Sequence, residues 1–134
     1  MIKKITKKNL DQVLPLIVEY QKFYNVLSID AEKNRRFFSR IVDEKDRGLL
    51  HVAVDKEKAV GFSTIYFSYS SALAEPVAVL NDLYVLPESR GLGIGRNLLE
   101  NAQRVTQEKG YSRLQWLTTQ DNDLAQQLYD STDV

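Results

Sequence analysis

The segment Asn81-Asp-Leu-Tyr-Val-Leu-Pro-Glu-Ser-Arg-Gly-Leu-Gly-Ile-Gly-Arg96 decides the fold, because within it a strand passes through a tight turn straight into a helix. Three glycines in five positions, Gly91, Gly93 and Gly95, indicate that another group approaches the backbone closely at this turn. The first N–H groups of a helix have no partner within it, and together with the helix dipole they favour an anion. We therefore predict an anion site, suited to a pyrophosphate, where this helix begins.

Two familiar phosphate-binding motifs do not fit this segment. A Walker A loop needs GxxxxGK[ST], and no such string occurs. The dinucleotide fingerprint GxGxxG is also absent, because the glycines follow one another at steps of two and lie late in the chain. Nucleotide hydrolysis and hydride transfer therefore lose support. Arg90 and Arg96 add positive charge at the rim, and an ordinary glycine-rich connection is the less favoured alternative.

Composition excludes several classes of protein. The chain has 134 residues, with 18 basic and 18 acidic side chains, which predicts one folded domain over residues 1–134 without the positive field of a nonspecific nucleic-acid binder. There is no cysteine and one histidine, His51, so we expect no disulfide, no cysteine nucleophile and no metal site. The basic N-terminus lacks the apolar stretch of a secretion signal, and no apolar run reaches membrane length. These features predict a cytoplasmic protein that does not bind membranes.

Apolar periodicity along the chain predicts a mixed α/β fold of order β-α-α-β-β-β-α-β-α, with helices packed on a central sheet. Pro15 should kink the first helix or mark its start, which Asn9 or Asp11 would cap, and Asp30 should cap the second helix. Lys56-Glu-Lys58 is typical of a hairpin turn. The predicted segments, in order, are strand 2–6, helices 10–24 and 31–47, strands 49–55, 59–68 and 77–85, helix 94–109, strand 113–118 and a last helix from 121 or 122.

With these elements in place, the sequence resembles the GNAT superfamily of acyl-CoA-dependent N-acetyltransferases. Arg90-Gly-Leu-Gly-Ile-Gly95 matches the family signature R/Q-x-x-G-x-G/A, and Asp82-Leu-Tyr-Val-Leu-Pro87 resembles the strand before it. Leu114-Gln-Trp-Leu-Thr-Thr119 and Asn122-x-x-Ala125-x-x-x-Tyr129 resemble the fifth strand and the helix that follows. Within this superfamily, the segments Trp116-Leu-Thr-Thr119 and Leu128-Tyr-Asp130 look most like those of a bacterial subgroup that resembles polyamine and histone acetyltransferases. Residues before 80 agree only in pattern.

The resemblance implies acetyl-CoA as the cofactor. The pantetheine arm would lie beside the fourth strand as an extra strand does, at Leu83, Tyr84 and Val85, with main-chain hydrogen bonds from the first and last of these. Asn122 would hold the arm from the other side, although it can also be read as a plain helix cap. The pyrophosphate would lie on the turn and helix start, at the backbones of Arg90, Gly91, Leu92, Gly93, Ile94, Gly95 and Arg96.

The implied chemistry is direct attack of a neutral primary amine on the thioester, which needs no enzyme nucleophile. Tyr129 matches the family tyrosine that protonates the departing thiolate, with a core aromatic as the alternative, and the Val85 N–H would meet the carbonyl oxygen. Some relatives carry a glutamate base where this chain has Asn81, so the base is unassigned, although Asn81 could orient a water. Strand alternation turns Asp82 to the opposite face, which favours a structural role.

The amine acceptor is weakly encoded, and its pocket should lie between the segments 24–30 and 70–75. Tyr24 and Asn81 are the predicted contacts, although an aromatic stripe at helical spacing is more often core. Three acids could attract a cationic amine: Asp30, Glu32 and Glu75. Family members usually continue into two more strands, which are missing from this sequence up to Val134, so either the polypeptide is longer, or a second copy completes the sheet, or the element is absent. Because an exposed sheet edge invites pairing with another chain, we expect a homodimer. A non-catalytic CoA-binding or sensing domain is the main alternative.

Overall fold

The computed structural model describes residues 1–44 and 46–116. Within them the predicted element order is confirmed as far as the fifth strand, and the predicted last helix lies outside the described residues. The strands are β1 Ile2–Lys4, β2 Gly48–Asp55, β3 Lys58–Ser70, β4 Glu75–Val85 and β5 Leu114–Trp116. The helices are α1 Leu14–Phe23, α2 Ala31–Asp43 and α3 Ile94–Glu108, with 3-10 turns at Leu10–Gln12 and Pro87–Ser89. None of the helices in these ranges is long and apolar enough to cross a membrane.

The five described strands form one mixed sheet in the order β1-β2-β3-β4-β5. The first three pairs are antiparallel, whereas β5 runs parallel to β4 after the α3 crossover. The predicted hairpin between β2 and β3 is confirmed, with Lys56 and Glu57 at φ 51° and 66°. Two left-handed residues in a two-residue loop are the requirement of a type I′ turn, whose twist matches that of the strands.

Two hydrophobic clusters cover the two faces of the sheet. One lies beneath α1 and α2 and includes Ile17, Phe38 and Phe62. The other lies beneath α3 and includes Leu83 and Leu98. Since successive strand residues point to opposite faces, each strand supplies alternate side chains to the two clusters.

Pro15 marks the start of α1, which is one of the two outcomes expected for it. The helix begins at Leu14 after a separate 3-10 turn, so the proline occupies the first turn, where its missing N–H breaks no helical hydrogen bond. The caps expected for this helix were wrong, because Val13 precedes it without a side-chain hydrogen bond. Asn9 instead accepts from the Thr6 N–H at 2.6 Å and closes the loop after β1.

The cap expected for α2 is confirmed, since Asp30 accepts from the N–H groups of Glu32 and Lys33 at 3.0 and 3.1 Å. The apolar spacing of Phe37, Phe38, Ile41 and Val42 predicts the buried stripe of this helix, and the structure differs from it at Phe37. Phe37 is 51% exposed, while the buried positions are Asn34, Phe38 and Ile41. These three follow one another at steps of four and three residues along the face that contacts the sheet, whereas Phe37 lies to one side.

A β-bulge in β4 decides which side chains share a face near the carboxyl end of that strand. Thr64 pairs with Asp82 but the next residue, Ile65, pairs with Leu80, so Asn81 is the extra residue. Because of this insertion, Leu80 and Leu83 both pack beneath α3. Asp82 therefore projects to the α1 face.

Candidate functional site

The turn between β4 and α3 presents main-chain donors to open space. Gly91 and Gly93 lie at φ 85° and 82°, and Gly93 is the residue before the first turn of α3. No side chain caps this helix, and the first helical bond here is donated by Asn97 to the Gly93 carbonyl. A Cβ added at Gly91 or Gly93 would meet no atom within 4 Å among the described residues. Backbone conformation, rather than crowding, requires glycine here, and the space in front of the helix N-terminus fits an anionic group.

The adjoining edge of β4 offers main-chain groups to an extended ligand. The Leu86 N–H donates to the Val60 carbonyl at 2.8 Å, and antiparallel hydrogen bonds alternate, so the main-chain groups of Leu83 and Val85 face away from β3. Among the described residues, β5 pairs only with residues 78–80 of β4 and leaves this stretch beside the turn. An extended arm laid along it would act as an added strand whose end reaches the α3 N-terminus.

Tyr84 does not share this edge, although the sequence analysis grouped it with its neighbours. Its main chain pairs with Phe62 on β3, and its side chain is 6% exposed. The ring lies in an aromatic cluster on the α1 face, with its centroid 5.5 Å from that of Tyr20 and 6.1 Å from that of Phe62. The alternation of the strand therefore directs the Tyr84 side chain to the core, and its predicted cofactor contact stays a prediction.

Asp82 is the centre of a hydrogen-bond cluster on the α1 face. Its carboxylate accepts from the hydroxyl of Tyr20 at 2.5 Å, from the hydroxyl of Thr64, and from Asn81 Nδ2 at 2.9 Å. The prediction that Asp82 lies opposite Leu83 is confirmed, but Asn81 reaches across the bulge to the carboxylate instead of pointing away from it. With both carboxylate oxygens engaged, Asp82 ties α1, β3 and β4 together.

The two tyrosines beside this carboxylate stay protonated at neutral pH. Burial, followed by the charge and hydrogen bond of Asp82, raises the pKa of Tyr20 above its ordinary value. Burial and the same charge raise the pKa of Tyr66 to about 12. Tyr24 hydrogen-bonds with Tyr20, and the two ring centroids are 4.9 Å apart. Tyr24, predicted as an acceptor contact, therefore joins the polar cluster at the end of α1.

The three acids considered for the acceptor do not converge within the described residues. The Asp30 carboxylate caps α2, and Glu32 lies in the first turn of that helix. The Glu75 carboxylate accepts from the hydroxyl of Ser112 between β4 and β5. No sequence pattern connects Thr64 and Tyr66 with the site, because the pairing of β3 with the bulged strand is what places Thr64 opposite Asp82, and Tyr66 lies two residues further along β3, within reach of the same charge.

Several predicted roles fall on residues that the structure leaves undescribed. Asn122 and Tyr129 lie outside residues 1–44 and 46–116, so their predicted contacts stay predictions. Leu92 is exposed at the tip of the turn, and Ile94, Gly95 and Arg96 form the first turn of α3. Within the described ranges no three His, Asp or Glu side chains gather as metal ligands would.

Comparison with known proteins gives concordant matches over nearly the whole chain. A model described as the acetyltransferase (GNAT) family matches residues 14–132. The D-amino-acid N-acetyltransferase HPA3 of Saccharomyces cerevisiae is 30% identical over 131 residues, covering 96% of this chain and 81% of the relative. A thialysine N-epsilon-acetyltransferase of Caenorhabditis elegans is 26% identical over 129 residues, covering 96% and 79%. A crystal structure described as "a probable acetyltransferase" superposes with a TM-score of 0.87 at 32% identity, covering 100% of this chain and 89% of the other.

Proposed function

Since the chain belongs to the GNAT family of acetyltransferases, we propose that it transfers the acetyl group of acetyl-CoA to the primary amine of a small molecule or peptide. The observation that carries the proposal is the continuity of the β4 edge at Leu83 and Val85, with which no strand among residues 1–44 and 46–116 pairs on that side, with the glycine-lined start of α3. An extended arm ending in a pyrophosphate matches both parts. A ligand with only the extended arm or only the pyrophosphate would contact one of these two parts and leave the other unused.

The cofactor residues of this proposal act through their main chains. The edge at Leu83 and Val85 binds the pantetheine arm, and the first turn of α3 with the glycines before it binds the pyrophosphate. Arg96 adds positive charge at the helix start. Asn122, as the family resemblance implies, holds the arm from the side opposite β4.

The amine acceptor of this proposal is a small molecule with an exposed primary amine. Two relatives carry the names of a thialysine N-epsilon-acetyltransferase and a D-amino-acid N-acetyltransferase, and both named substrates are amino acids with primary amines. The acceptor approaches from the α1 face, where Tyr24 and Asn81 lie beside the polar cluster of Asp82. Hydroxyl and amide groups there can orient the amine of the acceptor without fixing the length of the chain that bears it.

The chain must help the acceptor to lose a proton. An alkyl amine of pKa about 10.4 is more than three units above neutrality, so the neutral form costs about 4 to 5 kcal/mol. Asn81 orients a water that carries this proton away, while Asp82 anchors the Asn81 amide rather than acting as the base. Acetyl-CoA would supply the thioester when bound. The Val85 N–H would donate to the thioester carbonyl oxygen, and Tyr129 would give a proton to the departing sulfur.

A thiol-release assay with amines of graded structure tests the proposed function. We expect CoA thiol to appear with lysine analogues, D-amino acids, polyamines or aminoglycosides, and the product to gain the mass of one acetyl group. A folded sample that binds acetyl-CoA but acetylates no amine would instead favour the CoA-binding or sensing alternative. The predicted homodimer and cytoplasmic location stay predictions, and analytical ultracentrifugation tests the first of them.

A further inference from the structure

Arg90 lies in the turn between β4 and α3, and its side chain points back toward the end of α1. Its Nε donates to the Val85 carbonyl oxygen at 2.9 Å. Its guanidinium carbon lies 5.6 Å from the ring centroid of Phe23 and 5.8 Å from that of Tyr84. The side chain is half-buried by these contacts. The charge is thus placed over two aromatic faces, which is a favourable electrostatic arrangement for a guanidinium.

These contacts join the strand proposed to bind the cofactor to the helix that leads into the acceptor side. Phe23 is the last residue of α1, and its ring centroid is 5.1 Å from that of Tyr24. The loop that follows contains two left-handed residues, Asn25 and Ser28, both at φ 57°. Its path starts from the end of the helix. A group that holds Phe23 therefore also sets the start of this loop.

The hydrogen bond to Val85 has a second consequence. The N–H and the carbonyl of Val85 both face the open edge of β4, since residues of an antiparallel strand direct both groups to the same side. Arg90 occupies the carbonyl. A ligand on this edge then meets a donor at the Val85 N–H, while the guanidinium holds the Val85 carbonyl in the next peptide unit.

We propose that Arg90 is a positioning residue that fastens the end of α1 to the end of β4, and that it sets the acceptor loop and the Val85 peptide rather than pairing with the pyrophosphate. This inference rests on the proposed acetyl transfer for its effect on the acceptor. This positioning role replaces the earlier expectation that Arg90 adds positive charge at the rim of the anion site.

A ligand-free double-mutant cycle tests the contact directly. We expect Arg90→Gln and Phe23→Leu each to lower the equilibrium constant for folding, and the double variant to show a coupling of about fivefold in urea titrations. Arg90→Lys keeps the charge but loses the Nε hydrogen bond, so it should retain less than the full coupling. Additive effects of the two substitutions would overturn the proposed fastening.

Binding and kinetics separate positioning from phosphate pairing. We expect Arg90→Gln to weaken CoA and pantetheine by the same factor and to raise the acceptor KM severalfold. Arg96→Gln is the matched charge-removal variant, and it should weaken CoA more than pantetheine, increasingly so at low salt. A selective loss of CoA affinity in Arg90→Gln, with the acceptor KM unchanged, would assign Arg90 to the pyrophosphate. Absence of CoA binding in the unsubstituted chain would refute the proposed function, while the folding cycle would still decide the contact between Arg90 and Phe23.

Discussion

The two sides of β4 near its carboxyl end present different kinds of chemical group, main-chain groups on one and side chains on the other. On the open edge, Leu83, Val85 and the glycine turn present main-chain groups, and side-chain identity matters little. On the α1 face, Asp82 gathers side chains from three separate elements into one half-buried cluster. A site made of main chain can serve any member of a family that binds the same cofactor, whereas a site made of side chains can differ with each acceptor.

The bulge at Asn81 makes this division possible. Without the extra residue, regular alternation would place Leu80 and Asp82 on one face. With it, Leu80 and Leu83 pack beneath α3 while Asp82 meets Tyr20. The comparison therefore predicts that substitutions on the two sides of β4 have separable effects, on cofactor affinity for one and on folding and acceptor use for the other.

The largest expected effect is on the main-chain side. Gly93→Val should weaken acetyl-CoA binding about 1,000-fold, because a β-branched residue resists φ 82° and the loss of two charge-assisted hydrogen bonds removes about 4 kcal/mol. Isothermal titration calorimetry measures this loss. The matched control is Gly110→Val, at φ 83° beyond the other end of α3, which carries similar strain but should keep the affinity. Equal losses in both variants would show that strain, and not the anion site, is responsible.

Tyr129, the predicted acid, tests whether cofactor binding and proton transfer can be lost separately. Tyr129→Phe should bind acetyl-CoA normally and turn over about 100-fold more slowly, because the thiolate then leaves without its acid. Stopped-flow thiol release, together with a calorimetric titration of the same sample, measures both quantities. Unchanged turnover would remove Tyr129 from the acid role.

On the side-chain face, Asp82→Asn should lower the free energy of unfolding by about 2 to 3 kcal/mol, because the amide cannot accept all the hydrogen bonds that the carboxylate accepts. Its acetyl-CoA affinity should stay within about twofold of the parent chain. Urea denaturation and calorimetry provide the two readouts, with Thr64→Val as the milder variant of the same cluster. A large fall in kcat without loss of stability would instead make Asp82 the general base.

The smallest expected effect lies beneath α3, where burial, then the charges of Lys4 and Arg104, lower the pKa of His51 to about 4. The unfolded chain binds this proton near pH 6.5 and the folded chain only near pH 4, so acidification through that window favours unfolding. The group should cost about 2 kcal/mol of stability between pH 7 and pH 5. His51→Gln should lose this part of the pH dependence, and parallel stability curves for both proteins would contradict the account.

The element order, the hairpin and the glycine turn could be predicted because each depends on residues that are neighbours in sequence. The spacing of the glycines predicted a strand-to-helix turn, which lies at Gly91 and Gly93, and Asp30 caps α2 as predicted. The Asp82 cluster could not be predicted, because the register of β3 against a bulged β4 brings Thr64 to the carboxylate. Tyr84 was grouped with the cofactor edge although strand alternation against Leu83 and Val85 directs its ring to the core.

Titration calorimetry with acetyl-CoA, with pantetheine and ATP as separate controls, tests the central claim most directly. The account predicts a dissociation constant on the order of micromolar for acetyl-CoA and much weaker binding of either fragment, because only the whole ligand uses both the β4 edge and the α3 N-terminus. If a well-folded sample binds acetyl-CoA no better than pantetheine, the turn is not a pyrophosphate site and the account is wrong.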